Sequence, residues 1–497
     1  MKKKNLFKGI VIAFIFAVLL PMTAAASGNQ ENGSAEGEGS GEPDRLKMFL
    51  SDNKQAIPAK KSMELPDIAY LGEQTNTYLD IDFQPHSSHG EQTRLKITAG
   101  DIPDVLQRWG IPEYVLELKE NDQLMPLTEY IESSPNMYNA VPKEVWNSLK
   151  MDGDIMGIPQ LRPSAAGQIF YIRGDWMDEL GLETPETSEE LLDVFRAFKG
   201  AKPDAYPFSM RVNFSWGTNI FGMFGVDNNG LAVYEGKVIP QQIHPRMKEA
   251  LKYFRTMYEE ELIDPEFLLN DSPTWQQKIT SGKVGSWVHV AQYGSWWHEK
   301  VSAALPEENV DVRTFPTPQG AGYNGPVGQS KRSVDLTYWV HKESKNPEAV
   351  VRLFDFLYTE KGNAYAMLGV PGRTYSMEND EYVYNEEAED PAVSEWRQSM
   401  FNMLGYNENV MRARYEPNEF KKYKRGIEIA RAEGLPNPTL GITVEDALDL
   451  YMTWVEVAAK IVVEGETITL FDEFVENWMK NGGAEEVERM TNWLKNK

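Results

Sequence analysis

The side chains able to do chemistry in this 497-residue chain are 75 Asp and Glu, 50 Lys and Arg, six His and 13 Trp, with no cysteine at all. Their spacing supports little catalysis. His86 and His89 stand three apart without an H-E-x-x-H pattern, so no zinc site is expected. The lack of thiols removes disulfides and cysteine nucleophiles. No G-x-S-x-G elbow and no P-loop occur. Gly320 to Gly325 spells G-x-G-x-x-G, but Pro326 stands where a helix should begin and no βαβ unit surrounds it, so the run is a loop. No cofactor and no metal is therefore expected. A glycoside hydrolase needs only two carboxylates placed by the fold, and 75 acids keep a secreted hydrolase open.

Binding chemistry is better represented. Trp216 lies in the polar loop Asn213-Phe214-Ser215-Trp216-Gly217-Thr218. An indole so placed can stack on the C–H face of a pyranose while neighbouring amides bond its hydroxyls; the alternative is that it roofs a core. Trp287 falls two residues past Gly285, on a short strand expected to end at a cleft, with His289 and Gln292 as polar neighbours. Trp296 and Trp297 add two rings whose direction stays open. Trp275, Trp454 and Trp478 sit at helical spacing and are expected to pack.

These side chains need elements to hold them, and the stretch 151–200 is the most legible. Asp152-Gly153-Asp154 makes a turn, and 168–173 (QIFYIR) reads as a buried strand. A short helix over 175–180 stops at Gly181. Thr187 and Glu190 form a capping box opening a helix that buries Leu191, Val194, Phe195 and Phe198 and ends at Gly200. Elsewhere, strands are expected over 46–50, from Val105, over 310–318 and over 331–342. Gly100 should end a helix, 245–262 should be amphipathic, and Asn346 should cap a helix with Pro347 at its first position. The tail is helical, with Thr443 as a cap. Strands alternating with helices imply α/β lobes.

Residues 1–26 read as a cleaved leader: four lysines, an apolar run over 10–20, then Ala24-Ala25-Ala26. An uncleaved anchor is the alternative, weakened by the short apolar run. Residues 27–43 form an acidic Gly/Ser tether with nothing to bury. A net charge of −25 argues against nucleic acid or an anionic membrane as the main partner.

Several runs resemble the extracellular solute-binding proteins of ABC importers, family 1, of the carbohydrate-binding type and its LipO-like subgroup. Asp152, Gly153, Gly157, Ile158, Pro159, Tyr171, Asp175, Trp176, Leu180, Gly181, Leu182, Pro185 and Thr187 follow one signature of that family. Gly100, Asp101, Pro103, Asp104 and Val105 follow another, as do Ile263, Asp264, Pro265, Glu266, Asp271, Trp275, Lys278, Gly282, Lys283 and Gly285, with Glu261 where Gly is usual. The run 346–362 and the turn Gly369 to Tyr375 extend the likeness. The resemblance implies an α/β, two-lobed periplasmic-binding-protein fold of type II-like topology, its lobes joined by hinge crossings, with a helical C-terminal tail. It implies a first crossing over 157–167, a third after 346–362, and Trp109 at the cleft rim. Lobe 1 would comprise 44–160 with 318–360, and lobe 2 would comprise 161–317 with 361–497.

The expected function is that of a monomeric periplasmic receptor, without a lipid-anchor cysteine. It would close on a carbohydrate, an oligosaccharide by subgroup, and deliver it to the permease of an ABC transporter. Trp109, Trp216 and Trp287 would stack, and Asn53, Arg162, Asn213, Arg332 and Arg373 would be polar partners. Arginine matches a carboxylate with two parallel bonds, which suits an acidic sugar such as a uronate; interlobe ion pairs are the other use for these cations. A hydrolase, a lectin and a receptor for a non-sugar solute such as a peptide are the competing functions.

Overall fold

The computed structural model describes residues 42–52, 62–109, 113–164, 166–332, 334–437, 442, 444 and 447–495. The expected leader, most of the tether, Asn53 and Thr443 lie outside the described residues. Nine strands build the two larger sheets: β1 Asp44–Ser51, β2 Thr77–Gln84, β3 Val105–Trp109, β4 Gly157–Leu161, β5 Gln168–Arg173, β6 Tyr206–Phe208, β7 Val284–Val290, β8 Val312–Phe315 and β9 Val334–Val340. The first sheet has the order β2-β1-β3-β9-β4, with β1 parallel to β2 and β3, and β9 antiparallel to β3 and β4. The second has the order β8-β5-β7-β6, with β5 antiparallel to both neighbours and β6 parallel to β7.

Each sheet carries its own core. Leu46, Met48 and Leu50 of β1 pack with Ile68 and Leu71 of α1 (Pro66–Thr75). The strand β5 reads as a continuous apolar run because helices cover both of its faces. Phe170 and Ile172 point to one side, where Leu191, Phe195 and Phe198 of α2 (Ser188–Ala201) meet them. Ile169 and Tyr171 point to the other, toward Trp275, Trp287 and Trp297. The box that opens α2 is formed in full: Thr187 Oγ1 accepts from Glu190 N at 3.3 Å, and the Glu190 carboxylate accepts from Thr187 N at 3.1 Å. Gly100, at φ +70°, closes the helix His89–Ala99. No helix among the described residues is long and apolar enough to cross a membrane.

Three details depart from expectation. Asn346 precedes Pro347 but makes no capping bond; its side-chain amide donates instead to Arg45 O at 3.4 Å. Residues 318–328, expected with the first lobe, pack on α3 (Thr218–Met223) beside the second sheet: Gly320 N donates to Met223 O at 2.9 Å. A Cβ on Gly222 would collide with the Gly328 carbonyl, so that approach needs glycine. Residues 391–401, expected with the second lobe, form α4, whose Trp396, Met400 and Phe401 lie in the first core.

Three passages of the chain between the sheets bear on the site; a further excursion takes Met367, Leu368 and Tyr375 into the Trp287 core between Tyr365 and Trp396 of the first. The chain leaves β4 at Leu161 and enters β5 at Gln168. It leaves β8 at Phe315 and enters β9 at Val334. It leaves α4 at Phe401 and enters the helix Glu408–Arg414, whose Val410 and Met411 belong to the Trp287 core. Leu161 N donates to Met403 O at 2.9 Å, and Arg431 Nε to Pro163 O at 3.1 Å, so the first and third crossings run side by side.

Candidate ligand-binding site

Strand direction defines the site. In the first sheet β1, β2, β3 and β4 end, and β9 begins, at one edge: Ser51 pairs with Gln84, Trp109 with Leu336, and Leu161 with Val334. In the second sheet β6, β7 and β8 end, and β5 begins, at one edge, where Val290 pairs with Gln168. The first two crossings join these two edges directly. Ligands of α/β sheets bind beyond the carboxyl ends of the strands, where the backbone turns away and leaves a crevice.

The first edge is polar. Ser51 N donates to Gln107 Oε1 at 2.9 Å, Ser51 Oγ lies 3.2 Å from His86 Nδ1, and His86 N donates to Asp52 Oδ1 at 2.8 Å. Trp109 closes β3 with 44% of its surface exposed.

The second edge is aromatic and backbone-strained. Asn213, Phe214 and Trp216 hold φ values of +58°, +58° and +62°, in the left-handed region that non-glycine residues avoid. Surrounding bonds fix them there. Asn228 Nδ2 donates to Phe214 O at 3.0 Å, the Tyr451 hydroxyl to Asn213 O at 2.7 Å, and Arg211 N to Ser215 O at 2.8 Å. The Phe214 ring is buried against Phe254, Phe267 and Trp454 and anchors the loop. Backbone strain of this kind, paid for by surrounding structure, clusters at ligand sites.

The half-buried Trp216 ring lies 4.4 Å from His289 and stacks at 6.4 Å on Trp275. The shelf continues through Tyr293, 5.1 Å from His289, to Trp296, 5.3 Å from Tyr293. Tyr293 and Trp296 are exposed. Burial lowers the His289 pKa to about 3, with the Arg211 charge adding to the effect, so the ring is neutral at pH 7. The Arg211 guanidinium sits 6.0 Å from the Trp216 ring centroid.

The expected site residues distribute unevenly. Trp216, Asn213 and Trp109 stand at the two edges. Trp287 does not face a ligand: it has no exposed surface, stacks on Tyr171 at 5.9 Å and meets Trp297 at 5.2 Å. The reason is strand length. The strand β7 continues to Val290, so His289, two residues further along the same face, reaches the edge. Arg162 lies in the first crossing, its guanidinium against Gly167 and near Gln329. Arg332 is exposed in the second crossing and acts electrostatically on the buried carboxyl of Asp227, whose pKa burial raises. Arg373 is engaged by Asp67 of α1 at 3.4 Å, and Asp67 also holds Arg397. Asn53 lies outside the described residues. Sequence reasoning passed over Arg211 and Tyr293. Arg211 stands two residues before the polar loop 213–218 and carries no motif, and Tyr293 lies three residues past the end of β7 at Val290.

Among the described residues no group of three or more His, Asp or Glu could hold a metal ion. A cavity of about 790 Å³ opens between the helices of the tail, lined by Leu450, Val457, Phe474 and Trp478. It belongs to the second core's periphery and is separate from the strand edges.

The family described as bacterial extracellular solute-binding protein matches residues 60–364, more than half of the chain. Lipoprotein LipO of Bacillus subtilis (strain 168) is 23% identical over 94% of this chain and 95% of its own length. Polygalacturonan/rhamnogalacturonan-binding protein YtcQ of the same organism is 21% identical over 96% of this chain and 97% of its own. Among solved structures, the alginate-binding protein AlgQ2 without calcium ion superposes with a TM-score of 0.69 at 19% identity, covering 91% of this chain and 98% of that one. At that identity the likeness speaks for the two-lobed fold alone. With the family matched over residues 60–364, the chain belongs to the bacterial extracellular solute-binding proteins.

Proposed function

We propose that this protein is the carbohydrate receptor of an ABC importer, capturing an oligosaccharide between the two strand edges and delivering it to a membrane permease. The observation that carries the reading is the shelf of Trp216, His289, Tyr293 and Trp296 at the end of β7, beside the crossings about which two lobes can close. Aromatic faces stack on pyranose rings and leave the hydroxyls to amides and backbone groups. Trp109 on the opposite edge supplies a second ring, so one ligand would touch both lobes and favour the closed form by its differential affinity. The names of YtcQ, polygalacturonan/rhamnogalacturonan-binding, and AlgQ2, alginate-binding, support a saccharide as the ligand class.

In this reading residues 1–26 direct export to a periplasm, the receptor acts as a monomer, and the sugar leaves unaltered. Lobe 1 is built on β1–β4 and β9 with α4, and lobe 2 on β5–β8 with the tail. The test is tryptophan fluorescence and thermal unfolding against a panel of neutral and acidic oligosaccharides, with chromatography of the same tubes. A saturable spectral change, a raised midpoint and intact sugar support the receptor. Cleaved sugar overturns it in favour of a hydrolase. Silence toward every glycan moves the ligand to peptides or other solutes.

A further inference from the structure

We infer that Arg211 is the anion-recognising residue of this site and that the saccharide it selects carries a carboxylate, as a uronic acid does. This rests on the carbohydrate reading above and narrows it. Three observations converge. The first is the state of Arg211 itself. Its side chain is half-buried, and its Nε is buried without a hydrogen-bond partner. No carboxylate among the described residues reaches ion-pair distance of it. Asp271, the acid that acts on it electrostatically, is engaged in capping the helix Ser272–Thr280, accepting from Thr274 N at 2.8 Å. Buried Arg173 and Arg397, by contrast, are each held by two carboxylates. A guanidinium nitrogen buried without a partner is costly, and an incoming anion that accepts from it relieves that cost.

The second observation is the charge of the surroundings. The segments 161–164, 166–168, 209–219, 289–298 and 316–332 belong to the second edge and two crossings. They contain no Asp or Glu, in a chain with 75, while they carry Arg162, Arg211, Lys331 and Arg332. A protein of net charge −25 repels anions unless acids are kept from the approach. The carboxyls of Asp227 and Glu433, which contact the second crossing, are buried, bonded to Ser330 N and Thr317 and turned away from solvent. His289 is neutral, so the cations of the shelf are Arg211, beside Trp216, and Lys300, whose Nζ lies 4.3 Å from the Trp296 ring centroid and donates to Gln276 Oε1 at 3.0 Å.

The third is the pairing of Arg211 with Trp216, guanidinium and ring centroid 6.0 Å apart. A uronate presents the same pair in complement, an apolar C–H face with a carboxylate at its rim. A neutral hexose leaves the guanidinium unanswered. Two parallel N–H···O bonds from arginine fit a carboxylate better than a hydroxyl.

The test compares uronide trisaccharides (galacturonate, mannuronate and glucuronate) with their carboxyl-reduced counterparts, by calorimetry on the purified protein and on Arg211→Gln and Arg211→Lys. At least one acidic trisaccharide should bind about tenfold or more tightly than its reduced form, with affinity falling as salt rises. Arg211→Gln should abolish that preference, Arg211→Lys should keep part of it, and neither should lower the unfolding midpoint, because no internal ion pair is lost. Equal binding of acidic and reduced sugars, or an undiminished acidic preference in Arg211→Gln, overturns the inference and leaves the carbohydrate receptor standing. Failure of every acidic and every neutral sugar removes both.

Discussion

Trp216 and Trp287 are both indoles placed by sequence at the end of a structural element, and they have opposite roles. Trp216 is held half-open by a loop in left-handed backbone conformations, whereas Trp287 is sealed between Tyr171 and Trp297. Trp216→Ala should therefore weaken sugar binding by about 1–2 kcal/mol, roughly tenfold in Kd, with little change in unfolding midpoint. Trp287→Ala should cost about 3–5 kcal/mol of stability through the cavity it leaves. Chemical denaturation of the two variants beside binding curves distinguishes these roles; a stable Trp287→Ala that fails to bind would reverse the assignment. The Arg211 variants belong to this scale too, since their effect turns on one guanidinium.

At the scale of elements, the crossings are pinned by buried carboxyls. Glu433, at the end of the helix Pro417–Ala432, accepts from Thr317 N at 2.8 Å and from Thr317 Oγ1 at 2.9 Å, fixing the start of the second crossing. Burial raises its pKa from 4.5 to about 7 against the effect of those bonds. The folded chain thus holds this proton more tightly than the unfolded chain. Its stabilising contribution is complete below about pH 4.5 and is lost as pH rises to about 7, a change of up to ~3 kcal/mol. Glu433→Gln keeps a hydrogen-bonding group and cannot ionise. It should raise the unfolding midpoint at pH 8, leave it nearly unchanged at pH 4, and flatten the profile between; an identical pH profile for variant and parent would show that Glu433 is not the titrating group.

At the scale of the whole molecule, the proposed function requires the two edges to act together. A ligand that touches Trp109 on one side and Trp216 on the other should draw the lobes closer, so small-angle scattering should show a smaller radius of gyration at saturation. Ligand at 100 times Kd should add about 2.7 kcal/mol to stability. A raised midpoint with unchanged scattering would mean binding to one lobe alone. The acid-free segments of the edge are distant from one another in sequence, and their common charge character has meaning only because the crossings gather them.

The sequence by itself determined the local elements and the family. Thr187 with Glu190, Gly100 and the QIFYIR run carry their structural instructions within a few residues, through capping, left-handed closure and unbroken apolarity. The family signatures around 152–187 and 262–285 are local in the same sense. Tertiary structure decided which side chains reach the site. Where β7 ends depends on pairing with β5, which puts Trp287 in the core and His289 at the edge. Whether α4 joins the first core or the second depends on contacts across more than 300 residues, such as that of Arg397 with Asp67. An arginine's partner, or its lack of one, is likewise set by distant segments, which is why Arg211 stands out only once the chain is folded.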